Sequence, residues 1–353
     1  MDTESKNKKV VVTGASGQDG SYMIDFLLEN TDCFVVAAIR RTSQIIDSFF
    51  EKYYNHPRFK LIHFDLLDSH SITDTIKNEK PDYFINFAAQ SFVADSWKMP
   101  VLHFQTNALG VLHILEAIKM HAPNCRFYNA GSSEEFGDVQ YCPQDINHPL
   151  RPRSPYGASK AAARHLVKVW RESYGIYAVQ GILFNHESPR RQEYFVTRKI
   201  TKNVARIFME RLREPWKPAA PLELGNLDAK RDWSNAEDFV RGVWAMMNQD
   251  SPKDYVLSAN ETHSVREFVE LAFAAADISG YWEGSDISER FIDRNNGDVL
   301  MVVNPDFYRP AEVDLLWGDS TPARQELHWT PQTSFSELVR KMVECDLELA
   351  NRP

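Results

Sequence analysis

The sequence predicts an α/β protein: a doubly wound parallel sheet followed by a smaller, mostly helical substrate-binding domain. Three observations lead there. Short apolar runs bounded by turns alternate with amphipathic stretches from residue 9 to about 185, the pattern of βαβ units whose sheet is covered on both faces. A glycine-rich string, Gly14 to Gly20, lies between the first apolar run and the first amphipathic stretch. The chain has 353 residues, more than one hydrophobic core usually supports, so a second unit is expected.

Taken in order, the candidate strands are Val10 to Thr13, Phe34 to Ile39, Lys60 to Phe64, Tyr83 to Phe87, Arg126 to Ala130 and Ala178 to Leu183. Between them Ser21 to Glu29, Ala108 to His121 and Tyr156 to Tyr174 have helical periodicity. Residues 1–185 are therefore assigned to a Rossmann-type domain and 186–353 mainly to the second domain, with a stretch near 235–260 expected to return to the first. In the second part Phe195 to Leu212, Asn235 to Met247 and Val265 to Ala275 read as helices. The string Arg213-Glu214-Pro215-Trp216-Lys217-Pro218 reads as a surface loop, because proline removes a backbone donor and restricts the residue before it. Ser285 to Gly297, charged and rich in Asp and Asn, is expected to be a second loop.

Composition narrows the function classes. With 43% hydrophobic and 25% charged residues the chain is ordinarily globular. A net charge of −9 speaks against nucleic acid or an anionic membrane as the main partner, while leaving room for a local cationic pocket. Cys33, Cys125, Cys142 and Cys345 are scattered, without the spacing of a disulfide framework or a zinc site, so no metal is expected. The polar start before Val10 has no signal-like run, and a cytoplasmic address is expected.

The string Thr13-Gly14-Ala15-Ser16-Gly17-Gln18-Asp19-Gly20 follows a strand and opens a helix. Glycines there let the backbone approach a pyrophosphate, and the free N–H groups of the helix start face the anion. Where an NAD enzyme would place Asp or Glu to hold the ribose hydroxyls, this chain has Arg40-Arg41-Thr42-Ser43. Two guanidiniums suit a 2′-phosphate, so NADP is the expected cofactor. Asp65 and Leu66 after the third strand, and Ala88 and Gln90 after the fourth, fall at the carboxyl edge where such sheets bind ligands. A tight strand-to-helix turn and a solvated basic strand end are the plainer readings of these residues.

Ser154-Pro155-Tyr156-Gly157-Ala158-Ser159-Lys160 has the marks of a helix start, with Ser154 as cap and Pro155 in the first turn. Tyr156 and Lys160 then share one face. An ammonium beside a phenol favours phenolate, so the tyrosine pKa is expected to fall and the hydroxyl to exchange protons with a substrate. The fifth strand delivers Ser132 and the carboxylates Glu134 and Glu135 to the same edge. A simple reductase needs no carboxylate there; abstraction of a proton beside a ketone with loss of water does.

These strings, together with AAQSFV, ILFNHESPRR, FVTRKI, LGNLDAKRDW and FYRPAEVD, resemble the GDP-mannose 4,6-dehydratase family over about residues 8 to 345. The resemblance implies an extended short-chain dehydrogenase/reductase with NADP, usually tetrameric, that oxidises C4 of a GDP-hexose, eliminates water across C5 and C6, and returns hydride to C6. It implies Tyr156 as base at the C4 hydroxyl, Lys160 as its partner, Ser132 as the site hydroxyl and Glu134 as the C5/C6 acid/base. Lys160, His186 and Arg191 join the glycine turn, Arg40, Arg41 and Asp65 as cofactor residues. Ser91, Asn185, Val196, Lys199, Gly225, Arg231, Arg309 and Glu312 are implied on the nucleotide-sugar side.

Departures from the family pattern are Gly131-Ser132 in place of Ser-Thr, Glu135 in place of an apolar residue, and a longer loop at Arg213 to Pro221. They leave the sugar open, with GDP-heptose or a GDP-N-acetylaminosugar as alternatives to GDP-mannose, and a dimer as the alternative to a tetramer. A nucleotide-sugar 4-epimerase or reductase would share Tyr156 and Lys160 without needing Glu134. An NADP-binding sensor without catalysis is the alternative from another class.

Overall fold

The computed structural model describes residues 7–41, 48–308, 313 and 315–351. Six strands lie where apolar runs predict them: β1 (Lys9–Thr13), β2 (Phe34–Ile39), β3 (Phe59–His63), β4 (Tyr83–Asn86), β5 (Arg126–Ala130) and β6 (Ala178–Leu183). A seventh, β7 (Tyr255–Leu257), pairs with β6 from far along the chain. All pairs are parallel and the order is β7-β6-β5-β4-β1-β2-β3. The order reverses between β4 and β1, and that is where an open α/β sheet leaves a crevice for ligand.

Strand alternation sends residues to two cores. Val10, Val12, Val35 and Ala37 pack with α1 (Gln18–Asn30) and α6 (Ala236–Met247) on one face. Val11, Val36, Phe84 and Phe127 pack with α2 (Ser69–Glu79), α3 (Gly110–His121) and α4 (Pro155–Tyr174) on the other. Helix α4 starts as its sequence requires: Ser154 Oγ accepts the Gly157 N–H at 3.0 Å with Pro155 in the first turn, and Gly175 ends the helix at φ +65°.

A third core joins α5 (Val196–Arg213) to the helices Val265–Ala275 and Phe335–Ala350 around Trp233, Phe268 and Phe335. This lobe also carries small sheets. Arg290–Asp293, inside the stretch expected to be a loop, pairs antiparallel with Gly280–Glu283 and with Val299–Val303. Its Phe291 and Ile292 are buried while charged neighbours frame them, which hid a four-residue strand inside a polar segment. No helix among the described residues is long and apolar enough to cross a membrane.

Candidate active site

The turn after β1 is fixed by close packing. Gly14 has φ +63°, and a Cβ there would stand 2.7 Å from the Ala88 backbone nitrogen; one on Gly20 would stand 2.3 Å from the Gly14 carbonyl. Gly17 caps α1 without a side-chain hydrogen bond, so the first N–H groups of the helix are left for an anion. A cavity of about 490 Å³ opens there, lined by Gly14, Ser16, Gly17, Gln18, Asp19, Gly20, Arg40, Asp65, Leu66, Ala88, Gln90, Ser91 and Arg191 among others. Arg40 reaches this wall. Arg41, one residue farther past the end of β2, is not on it. Thr42 and Ser43 lie outside the described residues.

Two turn residues also hold the domain together. Gln18 Nε2 donates to the His186 carbonyl at 3.0 Å and its Oε1 accepts from Ser188 at 2.8 Å. Asp19 Oδ2 lies 2.9 Å from His186 Nε2, whose ring stacks on Phe239 of α6 at 4.7 Å. Burial would raise the Asp19 carboxyl, but the His186 charge and hydrogen bond outweigh it and hold it below its ordinary value. Burial would lower His186, and the Asp19 carboxylate instead raises it.

This cavity shares Asp19, Ala89, Ser91 and Arg191 with a larger one of about 1490 Å³. Ser132, Glu134, Tyr156 and Lys160 all line the larger cavity. The Ser132 hydroxyl hydrogen-bonds the Tyr156 phenol and also accepts from the Glu134 N–H at 3.3 Å. Lys160 donates from Nζ to the Ala130 carbonyl at 2.7 Å and stands 5.9 Å from the centre of the Tyr156 ring. Burial raises the Tyr156 phenol, with the Ser132 hydrogen bond opposing and the Glu134 and Glu135 charges adding to the rise. The expected fall of the tyrosine pKa is therefore corrected: Lys160 is bonded to a backbone carbonyl, and burial pushes its own pKa down to about 8.

Asn185, His186, Val196, Lys199, Gly225 and Arg231 line the far side. Lys199 stands 3.6 Å over the Phe307 ring, and burial lowers its pKa. A Cβ on Gly225 would meet the Phe307 carbonyl at 2.8 Å. Asn185 Oδ1 is buried without a hydrogen-bond partner, an acceptor left unsatisfied beside the cavity. Arg191 sits 3.5 Å over Phe195 and 3.1 Å from Glu187. Arg309 and Glu312 lie outside the described residues. Sequence reading missed the aromatic lining, Phe92, Tyr194 and Phe307; isolated aromatics in polar loops were the available signal.

The comparisons agree with one another. A model of the family GDP-mannose 4,6 dehydratase matches residues 11–342. A GDP-mannose 4,6 dehydratase of Drosophila melanogaster is 43% identical, over 99% of this chain and 88% of that protein. Among solved structures, the UDP-glucose 4-epimerase of Thermotoga maritima, with UDP-glucose, aligns at TM-score 0.79 and 20% identity over 97% of this chain and 99% of that one. The dTDP-glucose 4,6-dehydratase DesIV of Streptomyces venezuelae, with NAD, aligns at TM-score 0.78 and 20% identity over 96% and 97%. An epimerase and a dehydratase share the fold equally, so the choice of reaction lies in the site.

Proposed function

The chain belongs to the GDP-mannose 4,6 dehydratase family, and we propose that it converts GDP-mannose to its 4-keto-6-deoxy form with resident NADP. The observation that carries this is the convergence of Ser132, Glu134, Tyr156 and Lys160 on a cavity continuous with the glycine-turn cavity. The glycine turn, whose Cβ-free backbone leaves the helix start open, fits a dinucleotide pyrophosphate. Arg40 on the same wall favours a 2′-phosphate, which is why NADP is preferred to NAD.

The nicotinamide cofactor supplies the hydride acceptor for C4 and the donor for C6. Tyr156, as the phenolate, takes the proton of the C4 hydroxyl and becomes the neutral phenol, and Ser132 holds that oxygen within hydrogen-bond reach. Burial disfavours that phenolate, and the Lys160 ammonium, 5.9 Å from the ring centre, offsets part of the cost. Glu134 removes the C5 proton, made acidic by the new ketone, and returns a proton to the departing C6 hydroxyl as water; C5 then takes the proton held by Tyr156 as C6 is reduced, which restores the phenolate. Lys199 and Arg231 hold the diphosphate, and Asn185 Oδ1 accepts from the sugar or base.

In this reading residues 1–185, with a return near 235–260, hold the cofactor, and most of 186–353 holds the nucleotide-sugar. A homotetramer is the assembly we assign, supported by Val101, Phe104 and Leu109, exposed apolar side chains ahead of α3. Incubation with GDP-mannose and no added NADPH tests the whole: the substrate mass falls by one water, and denaturation of the enzyme releases NADP. Unchanged mass with every GDP-sugar tried sinks the dehydratase reading. An epimerase would also leave the mass unchanged, and Glu134 on the cavity wall is the observation against it.

A further inference from the structure

Near the carboxyl end of the sheet a single row of polar side chains crosses four strands. Thr13, Asn86, Asn129 and Gln180 occupy one register on β1, β4, β5 and β6. Each donates to the next: Thr13 Oγ1 to Asn86 Oδ1 at 2.6 Å, Asn86 Nδ2 to Asn129 Oδ1 at 2.9 Å, and Asn129 Nδ2 to Gln180 Oε1 at 2.7 Å. Gln180 Nε2 then donates to Glu135 Oε1 at 2.9 Å, and every member is buried. Donation in one sense polarises such a chain toward its last acceptor. That acceptor oxygen also takes the Ser132 backbone N–H at 2.8 Å, while Glu135 Oε2 is buried without a partner. Gly131 makes the room: a Cβ there would stand 2.7 Å from Glu135 Oε1 and 2.8 Å from Gln180 Nε2.

We propose that Glu135 is a positioning residue of the dehydration centre: as last acceptor of the row it fixes the Ser132 main chain, and through it the hydroxyl that meets Tyr156. Gly131 and Gln180 are its structural partners. The kinetic part of this inference rests on the dehydratase reading; the structural part does not. Oε1 accepts two N–H bonds with no ionised carboxylate required. Burial holds the carboxyl up to about 8, against the charges of Arg164 and Lys160 on α4 and the Ser132 N–H, with Asp254 beside β7 adding to the rise. Ionisation would place a charge near two buried phenols, Tyr128 on β5 and Tyr156 on α4, and it raises both. The row thus ends on an acceptor whose ionisation burial disfavours and whose Oε1 orients the Ser132 main chain.

The experiment compares E135Q, E135L, G131A and the double variant G131A/E135L as holoenzymes. Glutamine keeps a carbonyl oxygen for both donors, so E135Q should hold kcat within about threefold of wild type. E135L strands the Ser132 and Gln180 donors, and kcat should fall by ~10-fold or more with KM nearly unchanged. G131A should lower the thermal midpoint, and by less when Glu135 is already leucine, since two of the three close atoms belong to the Glu135–Gln180 pair. E135L with wild-type kcat, or E135Q as slow as E135L, overturns the proposal. If the wild type fails to dehydrate GDP-mannose, the functional reading falls first; the thermal cycle still decides, coupling supporting the placement and additive midpoints overturning it.

Discussion

The two walls of the large cavity are built in different ways. On the sheet edge, the reacting groups are tied to nearby backbone: Lys160 to the Ala130 carbonyl, the Ser132 main chain to Glu135, and Tyr156 at the capped start of a twenty-residue helix. On the opposite wall the polar groups sit at the ends of long side chains or beside short strands. Lys199 rests over Phe307, Arg231 donates to the Lys230 carbonyl, and Asn185 keeps an unpartnered buried oxygen. The first wall holds atoms in place; the second offers the charges of Lys199 and Arg231 to an arriving anion and the Asn185 oxygen to a donor on the sugar or base. Chemistry requires positions fixed before the substrate binds, whereas affinity for two phosphates tolerates adjustable cations.

Substitutions on the first wall should therefore act on kcat. Y156F removes the proton acceptor and should lower kcat by ~10²- to 10⁴-fold, with KM and thermal midpoint close to wild type. E134Q should cost a comparable factor while retaining bound NADP. Its test is the accumulation of oxidised, undehydrated sugar with reduced cofactor, read by absorbance; full activity would place the elimination on another group. On the second wall, K199A should raise KM by ~10-fold and leave kcat within about threefold. A fall in kcat at constant KM would erase the distinction between the walls. R40A, on the cofactor cavity, should weaken NADP binding by about tenfold relative to NAD, measured by competition on the stripped enzyme.

The same division decides what was legible in the sequence. Strands of a parallel sheet covered on both faces are buried along their length, as β6 is at every position, and are therefore mostly apolar, so the sheet could be read strand by strand. The glycine turn and the Ser154 to Lys160 helix start are local, with cap, proline and glycine each doing what its backbone position demands. The second lobe was less legible because its strands are two to five residues long and carry charge on their open faces. The polar row was invisible for another reason: Thr13, Asn86, Asn129 and Gln180 each look like a single flaw in an apolar strand, and only pairing over distances of 43 to 73 residues lines them up. The Tyr156 pKa was misread because spacing shows that a lysine is near but not that its ammonium is bonded to the Ala130 carbonyl.

The smallest expected effect tests the joint between cofactor turn and second lobe. Asp19 and His186 are partly shielded, 21% and 11% exposed, and their charges are 2.9 Å apart. The Asp19 carboxyl lies below its unfolded value, so its share of stability is present above that value and lost as pH falls through the depressed one. His186 lies above its unfolded value, so its share is full below that value and lost as pH rises through the raised one. The pair should give a stability maximum in the window between, flanked by an acid and an alkaline decline. D19N removes the charge but keeps a hydrogen-bonding oxygen, so the loss should be of order 1 kcal/mol, confined to that window. Thermal midpoints of wild type and D19N across pH should converge at both extremes. A constant offset at every pH would mean that Asp19 contributes only shape, and that the turn is held to the lobe by Gln18 and Ser188 alone.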